Sequence, residues 1–328
     1  MSLDIGIDIG AAYISVYGKD EGIVLKEPAV IACDRESKEV KAVGKEAYSL
    51  IGRNAGNIVT SYIYDNNIYM EENIMLEVIK YIVTKVIGKI KIIRPVMCIS
   101  VHTCAGKECM NMIKECAFKA GAREAVVIES SMAAAIGAGV DIKNTPGNIV
   151  VEIGEKLSEI IVISNGKIIK KEELKVTGSY FDEYITEYIR KRYGVIIGRG
   201  YAKYIRQEYG DFNSFAENII ISVKGRSIDD SLLCEVFITS NEIKEEYIKV
   251  VDIIVEKLKE ISGKIDKSIK NNILSRGVII TGSGAMIPGF ERLMEEKILI
   301  PTMVPDNADK SRVTGTGIVL EYLGGIDQ

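Results

Sequence analysis

Two short acidic turns, one near the N-terminus and one near the middle of the chain, carry the residue types best suited to chemistry. Asp8 precedes Gly10 in the first turn, and Glu152 precedes Gly154 in the second. Glycine lets backbone N–H groups come close to phosphate oxygens, and a carboxylate can hold Mg²⁺ through water. The two turns together therefore indicate a site that grips a phosphate chain with Mg²⁺. A single Asp-x-Gly turn is more often an ordinary structural hairpin.

A turn of small residues near the C-terminus adds a third element to this pattern. Gly282, Ser283, Gly284 and Ala285 follow the apolar run at 277–281. Small side chains leave room for an adenosine group against the backbone. The combination of this turn with two related acidic turns favours a ligand site over unrelated structural hairpins.

The segments around these turns alternate between strand and helix patterns. Alternating β-rich residues predict hairpins at 3–17 and 148–165, and the second hairpin resembles the first. A repeat at so long an interval indicates a duplicated domain, and the alternation favours an α/β architecture. Predicted strands lie at 96–101, 125–128 and 277–281, and predicted helices at 71–86, 106–120, 132–139, 181–193, 199–208, 241–262 and 314–323.

The composition narrows the class of protein. The 328 residues carry a net charge of -4, so the chain offers no cationic footprint for nucleic acid. The six cysteines form no CxxC pair and His102 is the single histidine, which argues against zinc and disulfides. No uncharged apolar run reaches the ~18 residues of a membrane span. We therefore expect a cytoplasmic protein, attached at most peripherally to the inner face of the cell membrane.

Segments spread over the whole chain resemble MreB, a family of bacterial actin-like cell-shape proteins, in that family's order. The matching segments are 8–10, 22–30, 51–58, 120–124, 132–139, 281–285 and 312–317. The resemblance implies an actin-like (ribonuclease H-like duplicated) two-lobed fold with a central nucleotide cleft. Lobe I would span 1–147 with a small inserted subdomain at about 33–70, and lobe II would span 148–311 with one at about 182–242. The helix at 312–328 would return to lobe I.

The resemblance also implies roles for individual residues. The cofactor would be ATP or ADP with Mg²⁺, and Asp8 and Glu152 would face the metal through water. Glu208 resembles the family's ribose-binding acidic residue, and Gly178 resembles a glycine that borders the nucleotide. The residues expected to line the cofactor are Asp8, Gly10, Ala11, Ala12, Tyr13, Gly154, Glu155, Lys156, Gly178, Glu208, Gly282, Ser283, Gly284 and Ala285.

The second turn departs from the family's pattern, which reads roughly Asp-Ile-Gly-Gly-Gly-Thr-Thr-Glu. Residues 152–159 of this chain read Glu-Ile-Gly-Glu-Lys-Leu-Ser-Glu. Glu155 places a carboxylate where phosphate oxygens should approach, and like charges in a partly dry cleft cost on the order of several kcal/mol. Lys156 is a candidate for the cation that offsets this repulsion. In the first turn, the bulky Tyr13 adds crowding.

Two catalytic positions follow from the resemblance, Glu152 and Ser130. Ser130 stands where the family has a glutamate that orients the attacking water, and a hydroxyl is far less basic than a carboxylate. We therefore predict a filament protein that binds ATP or ADP weakly or structurally, with impaired hydrolysis. The alternatives are an active ATPase filament that tolerates these changes and a non-polymerising adaptor built on the same fold.

The expected partners are other copies of the chain in a filament, with an MreB paralogue, the cytoplasmic membrane surface and wall-synthesis proteins as further candidates. No nucleic acid is expected. Ile92 and Ile93 lie among cations in the segment 89–94, which resembles the short hydrophobic loop by which MreB touches lipid. The start of a core strand explains the same segment equally well.

Overall fold

The computed structural model describes residues 4–53, 56–65, 71–88, 94–102, 106–143, 146–213 and 217–324. The chain divides into two compact units. Unit 1 comprises Met1–Val140 and Lys310–Gln328, and unit 2 comprises Asp141–Asp309. Each unit has a mixed sheet and a hydrophobic core of its own.

Strands and helices alternate along the described residues. The strands are β1 (Ile5–Ile9), β2 (Tyr13–Gly18), β3 (Gly22–Pro28), β4 (Val30–Asp34), β5 (Val40–Val43), β6 (Ile58–Tyr62), β7 (Val96–Val101), β8 (Glu124–Glu129), β9 (Asn148–Ile153), β10 (Ser158–Ser164), β11 (Lys167–Leu174), β12 (Val195–Ile196), β13 (Ile220–Ser227), β14 (Leu233–Thr239), β15 (Val278–Thr281) and β16 (Thr302–Met303). The helices are α1 (Lys45–Ser49), α2 (Glu72–Ile87), α3 (Gly106–Lys119), α4 (Ser130–Gly137), α5 (Gly178–Tyr193), α6 (Arg199–Tyr209), α7 (Ser240–Gly263), α8 (Lys267–Arg276), α9 (Phe290–Ile298) and α10 (Ser311–Gly324).

The main sheet of unit 1 has the strand order β3-β2-β1-β7-β8. The first three strands form an antiparallel meander, whereas β7 runs parallel to β1 and β8 runs parallel to β7. Every residue of β1 and β7 is buried, as expected for central strands covered on both faces. A smaller sheet has the order β5-β4-β6.

The main sheet of unit 2 repeats this arrangement with the order β11-β10-β9-β15-β16. Again three strands form an antiparallel meander, and the next two run parallel to the central strand β9. Helix α7 packs its apolar stripe into the core through Tyr247, Val251 and Leu258. The matching strand orders confirm the two predicted hairpins and explain why their sequences resemble each other.

The predicted elements are confirmed in type and differ from the structure mainly at their ends. Helix α4 begins at Ser130, two residues before the predicted start, and α10 begins at Ser311 rather than 314. The turn at 282–285 forms a short 3-10 helix, Ser283–Met286, and the next α-helix begins only at Phe290. The predicted lobe and subdomain boundaries stay predictions. Among the described residues, no helix combines the length and apolar character needed to cross a bilayer.

Candidate functional site

The second acidic turn, at 154–157, joins β9 to β10 in unit 2. Glu152 in β9 lies directly opposite Glu159 of β10 and beside Thr281 of β15 in the ladder. Both carboxylates are almost fully buried. Two like charges opposite each other on a sheet repel and destabilise it, so a cation near them is favourable. Carboxylates bind Mg²⁺ through the water molecules that surround the ion. This donor set therefore fits the predicted water-mediated metal contact at Glu152.

Glu155, in the turn itself, is held by two cations of helix α6. Lys203 Nζ lies 2.6 Å from Glu155 Oε1, and Arg206 Nη2 lies 3.2 and 3.1 Å from its two carboxylate oxygens. Arg206 Nε also donates to Asp182 Oδ1 of helix α5 at 2.6 Å. We call Glu155, Asp182, Lys203 and Arg206 the ion cluster. Its cations, Lys203 and Arg206, provide the charge compensation that the sequence suggested for Lys156.

The ion cluster is largely buried apart from Lys203, whose side chain is 30% exposed, and the two carboxylates of the cluster differ in the direction of their pKa shifts. The side chain of Arg206 is 4% exposed and that of Glu155 is 12% exposed. Burial raises the pKa of Glu155, but the charges of Arg206 and Lys203 outweigh it and hold this pKa below its ordinary value. Burial also raises the pKa of Asp182, and its pairing with Arg206 does not fully compensate. Glu155 is thus a stable carboxylate at neutral pH.

The N-terminus of helix α5 is also satisfied from within unit 2. The N–H of Gly178 donates to Gly154 O and the N–H of Ser179 to Glu155 O, both at 2.9 Å. The Thr177 side chain accepts from the N–H of Tyr180 at 3.1 Å. These first amides of a helix are the groups that commonly bind phosphate. Here they bind the second turn itself and the helix cap.

Gly178 is a close neighbour of this turn. A Cβ atom at Gly178 would lie 2.5 Å from Glu155 Oε2, so a larger residue there would require that carboxylate to shift from its present position. Lys156 lies half-buried in the same turn, next to Glu155. Glu208 lies at the exposed end of α6 and does not belong to the ion cluster.

The predicted adenosine turn packs against the end of β9. Gly282 has a φ of 93°, and a Cβ atom there would lie 2.3 Å from Ile153 O. A Cβ atom at Gly284 would lie 2.4 Å from Ile153 Cγ2, and Ala285 is buried. Ser283 opens the short 3-10 helix beside them. Unit 2 therefore brings together 282–285, Glu152, the second turn and Gly178.

The first acidic turn lies in unit 1 between β1 and β2. Ser100 Oγ of β7 donates to Asp8 Oδ1 at 2.7 Å. Burial raises the pKa of Asp8, against the opposing charge of Arg312 and the bond from Ser100. The N–H of Gly10 donates to Tyr13 O at 3.0 Å, so the turn closes on itself.

The remaining residues of this first turn differ in exposure. Ala11 is buried, and Ala12 O accepts a hydrogen bond from the N–H of Ala29 at 2.9 Å. The Tyr13 side chain is exposed, and Lys26 Nζ lies 5.5 Å from the centre of its ring. Tyr13 thus lies at the start of β2, and its ring forms a cation–π contact with Lys26 of β3.

Ser130 is the first residue of α4 and is completely buried. Within the described part of the chain, its Oγ atom has no hydrogen-bond partner. A buried hydroxyl without an acceptor nearby is not activated as a base. Ser130 therefore contributes a buried neutral hydroxyl at the start of α4, and its proposed catalytic position stays a prediction.

The sequence did not identify Asp182, Lys203 and Arg206 as site residues. One signal was available for the two cations, because a spacing of three residues puts them on one face of the predicted helix. Over the described residues, no group of three or more His, Cys, Asp or Glu side chains could hold a metal ion directly. Ile92 and Ile93, the predicted lipid contacts, lie outside the described residues.

Comparison with known proteins gives consistent matches over the full chain. The family model for the MreB/Mbl protein matches residues 2–328. The cell shape-determining protein Mbl of Bacillus subtilis is 34% identical over 320 residues, which are 98% of this chain and 96% of Mbl.

Solved structures show the same fold. MreB5 of Spiroplasma citri bound to ADP superposes with a TM-score of 0.85 at 23% identity, covering 99% of this chain and 98% of that protein. A MamK double helical filament gives a TM-score of 0.73 at 15% identity, covering 98% and 99%. The fold is therefore the actin-like fold that the sequence predicted, and the chain belongs to the MreB/Mbl family of actin-like cell-shape proteins.

Proposed function

We propose that this MreB/Mbl protein is the subunit of a cytoskeletal filament that binds ATP or ADP weakly, as a structural ligand, and hydrolyses little or none of it. Nucleotide binding is supported by the similar MreB5, which was solved with ADP. Assembly is supported by MamK, which shares the fold and forms a double helical filament. A ligand bound only by the assembly-competent form stabilises that form by mass action and need not be consumed.

The observation that carries weak binding is the state of the second turn. In a phosphate-binding turn, backbone amides and nearby cations are available to the ligand. Here the amides of Gly178 and Ser179 bind the turn's own carbonyl groups, and Lys203 and Arg206 bind Glu155. A polyphosphate would have to displace Glu155 or lie beside its negative charge. This arrangement supports weak binding of phosphate by unit 2.

Slow hydrolysis is supported by Ser130. The resemblance puts a water-orienting glutamate at this position, and the chain has a buried hydroxyl there. Loss of general-base assistance commonly slows a reaction by about 10²–10⁴-fold. We propose Asp8 and Glu152 as the groups that would face Mg²⁺ through water when nucleotide is bound.

Phosphate release from ATP by the purified protein tests the proposal. We expect a rate at least about 100-fold below that of an ordinary MreB measured in parallel, given the missing base. The Ser130→Ala variant should show the same residual rate, because the hydroxyl is not a catalyst. A wild-type rate equal to that of the ordinary MreB would establish the active ATPase alternative instead.

Pelleting and electron microscopy test the assembly part. Filaments should form with ADP as readily as with ATP, because turnover is not required. The complete absence of filaments with every nucleotide and with lipid vesicles would favour the adaptor alternative. Labelled protein mixed with filaments of an active paralogue tests copolymerisation, which we propose as a second mode of assembly.

A further inference from the structure

The ion cluster contains equal numbers of positive and negative charges. Glu155 and Asp182 supply two carboxylates, and Lys203 and Arg206 supply two cations. Arg206 forms a two-point contact with Asp182, through Nε at 2.6 Å and Nη2 at 3.4 Å. The carboxylate of Glu155 is bound by Lys203 Nζ and also by Arg206 Nη2. Without Glu155 the cluster would keep an uncompensated positive charge.

That charge would face the start of helix α5. Gly178 is the first residue of α5, and its missing side chain provides the space in which the Glu155 carboxylate lies. The positive end of a helix dipole favours an anion at this place. The amides of Gly178 and Ser179 already donate to the turn, so the groups that favour an anion here are the two cations, in the space left by the glycine. Here the occupant is a carboxylate of the chain itself.

We propose that Glu155 is an intramolecular ligand, whose carboxylate occupies a polyphosphate-binding position formed by Lys203, Arg206 and the start of α5, and so lowers the affinity of the chain for phosphorylated ligands. The proposal rests on the weak nucleotide binding proposed above and names the residue that sets it. The same contact keeps the second turn closed in the absence of ligand.

Replacement of Glu155 tests the proposal, with inorganic pyrophosphate as the probe. Glu155→Gly removes the carboxylate and opens the space, and Glu155→Gln removes only the charge. Calorimetric titration should show pyrophosphate binding to Glu155→Gly at least about tenfold tighter than to the wild type, because a like charge at contact distance has been removed. Glu155→Gln should give a smaller gain, since its side chain still fills the position.

Thermal unfolding provides the second readout. Both variants should melt at a lower temperature than the wild type without ligand, since Lys203 and Arg206 lose their partner. Pyrophosphate should raise the melting temperature of the variants and leave that of the wild type nearly unchanged. A purely structural role for Glu155 would lower the melting temperature without any rescue by the anion.

Two further variants complete the test. Glu183→Gln removes an exposed carboxylate on α5, where its contact with Arg199 is 3.7 Å, and should leave affinity and melting temperature unchanged. Adding Lys203→Met to Glu155→Gly should abolish the gain in pyrophosphate affinity. The proposal is overturned if the Glu155 variants bind pyrophosphate no better than the wild type. It is equally overturned if they fail to fold even with millimolar pyrophosphate present.

These outcomes are independent of the hydrolysis assay. A gain in affinity in Glu155→Gly together with normal ATP turnover by the wild type would remove the impaired-hydrolysis proposal and keep this one. Slow ATP turnover by the wild type together with no gain in pyrophosphate affinity in Glu155→Gly would support impaired hydrolysis and overturn the proposal for Glu155.

Discussion

In unit 1 the acidic turn joins β1 to β2, and in unit 2 the equivalent turn joins β9 to β10, at the same place in a sheet of the same strand order. The buried Asp8 of unit 1 accepts a hydrogen bond from the neutral hydroxyl of Ser100. Glu155 of unit 2 forms salt bridges with Lys203 and Arg206. Asp8 also feels the opposing charge of Arg312. The comparison therefore shows a buried strand carboxylate hydrogen-bonded to a hydroxyl in unit 1, and a turn carboxylate held by direct salt bridges in unit 2.

The two turns are also closed differently. The first turn is closed by its own backbone, through the bond from the Gly10 N–H to Tyr13 O. The second turn is closed by contacts with α5 and α6, through the amides of Gly178 and Ser179 and through the ion cluster. We infer that stability near the second turn depends more strongly on direct ion pairs than stability near the first turn does.

The largest expected effect follows from removing the central cation of the ion cluster. Arg206→Met leaves Glu155 and Asp182 buried without their shared partner, which should lower the free energy of unfolding by about 3–5 kcal/mol. The corresponding change in unit 1, Ser100→Ala, removes one hydrogen bond to Asp8 and should cost about 1–2 kcal/mol. Urea unfolding with hydrogen exchange, read separately for each unit, measures both losses.

A matched control for this pair is Arg190→Met on α5. Arg190 forms an exposed ion pair with Glu187 at 2.7 Å, and solvent screening leaves such pairs little effect on stability. Its substitution should therefore change stability little. Equal losses for Arg206→Met and Ser100→Ala would refute the idea that the two turns depend on different interactions.

The second prediction concerns glycines that differ in their surroundings. Gly282 has a φ of 93° and no space for a Cβ atom, whereas Gly22 has a φ of 78° and open space around it. Gly22→Ala should cost about 1–2 kcal/mol from backbone strain alone. Gly282→Ala should cost about 1–3 kcal/mol more, because Ile153 and the turn must also move apart. If Gly22→Ala and Gly282→Ala lowered the free energy of unfolding equally, the turn and β9 would be able to move apart without loss of stability.

The sequence predicted the fold well because its signals are local and strong. Central strands such as β7 read as continuous apolar runs, and the stripe on α7 recurs at helical spacing. The start of α4 was less evident, since Ser130 and Ser131 are helix residues that the apolar pattern alone does not include. Patterns of hydrophobic residues therefore define elements better than their ends.

The candidate site was predicted only in part. The glycines of 282–285 and the acidic turn were visible, because their roles depend on residue type and short spacing. The other members of the ion cluster were not, since Asp182, Lys203 and Arg206 come from two helices that only the folded chain brings to the turn. The sequence suggested Lys156 as the compensating cation because Lys156 follows Glu155 directly along the chain. The approach of Lys203 and Arg206 to Glu155 is visible only in the folded structure.

The third prediction concerns the stability of unit 2 at acidic pH, where the partly buried carboxylate of Glu242 becomes protonated. Glu242 accepts hydrogen bonds from Tyr188, Tyr193 and both the N–H and the hydroxyl of Thr239. Burial raises the pKa of Glu242, but these bonds lower it to about 2, below the ordinary value of 4.5. Its contribution to stability is therefore complete above pH 4.5 and is lost as the pH falls toward about 2.

Glu242→Ala tests this contribution. At neutral pH the variant should be less stable by about 1–2 kcal/mol, through loss of the cap of α7 and of the tyrosine contacts. The difference from the wild type should shrink as the pH falls from 4.5 toward about 2. Urea unfolding at several pH values measures it, and a difference that stays constant over this range would contradict the assignment.

The smallest expected effect concerns the buried hydroxyl of unit 1. Within the described residues Ser130 Oγ has no hydrogen-bond partner, so Ser130→Ala removes a desolvated group rather than a contact. We expect the free energy of unfolding of the Ser130→Ala variant to lie within about 0.5 kcal/mol of the wild-type value, or to exceed it by up to about 1 kcal/mol. Ser100→Ala provides the contrast, since Ser100 does donate to Asp8. A loss at Ser130 as large as at Ser100 would reveal an unrecognised partner.

Calorimetric titration of the wild-type protein with ADP in the presence of Mg²⁺ tests the central claim most directly. A second turn already occupied by Glu155 predicts weak binding, with a Kd above about 100 µM, or less than about 5.5 kcal/mol of binding free energy. A Kd at or below about 1 µM would show that the ion cluster does not oppose the nucleotide, and would contradict the account.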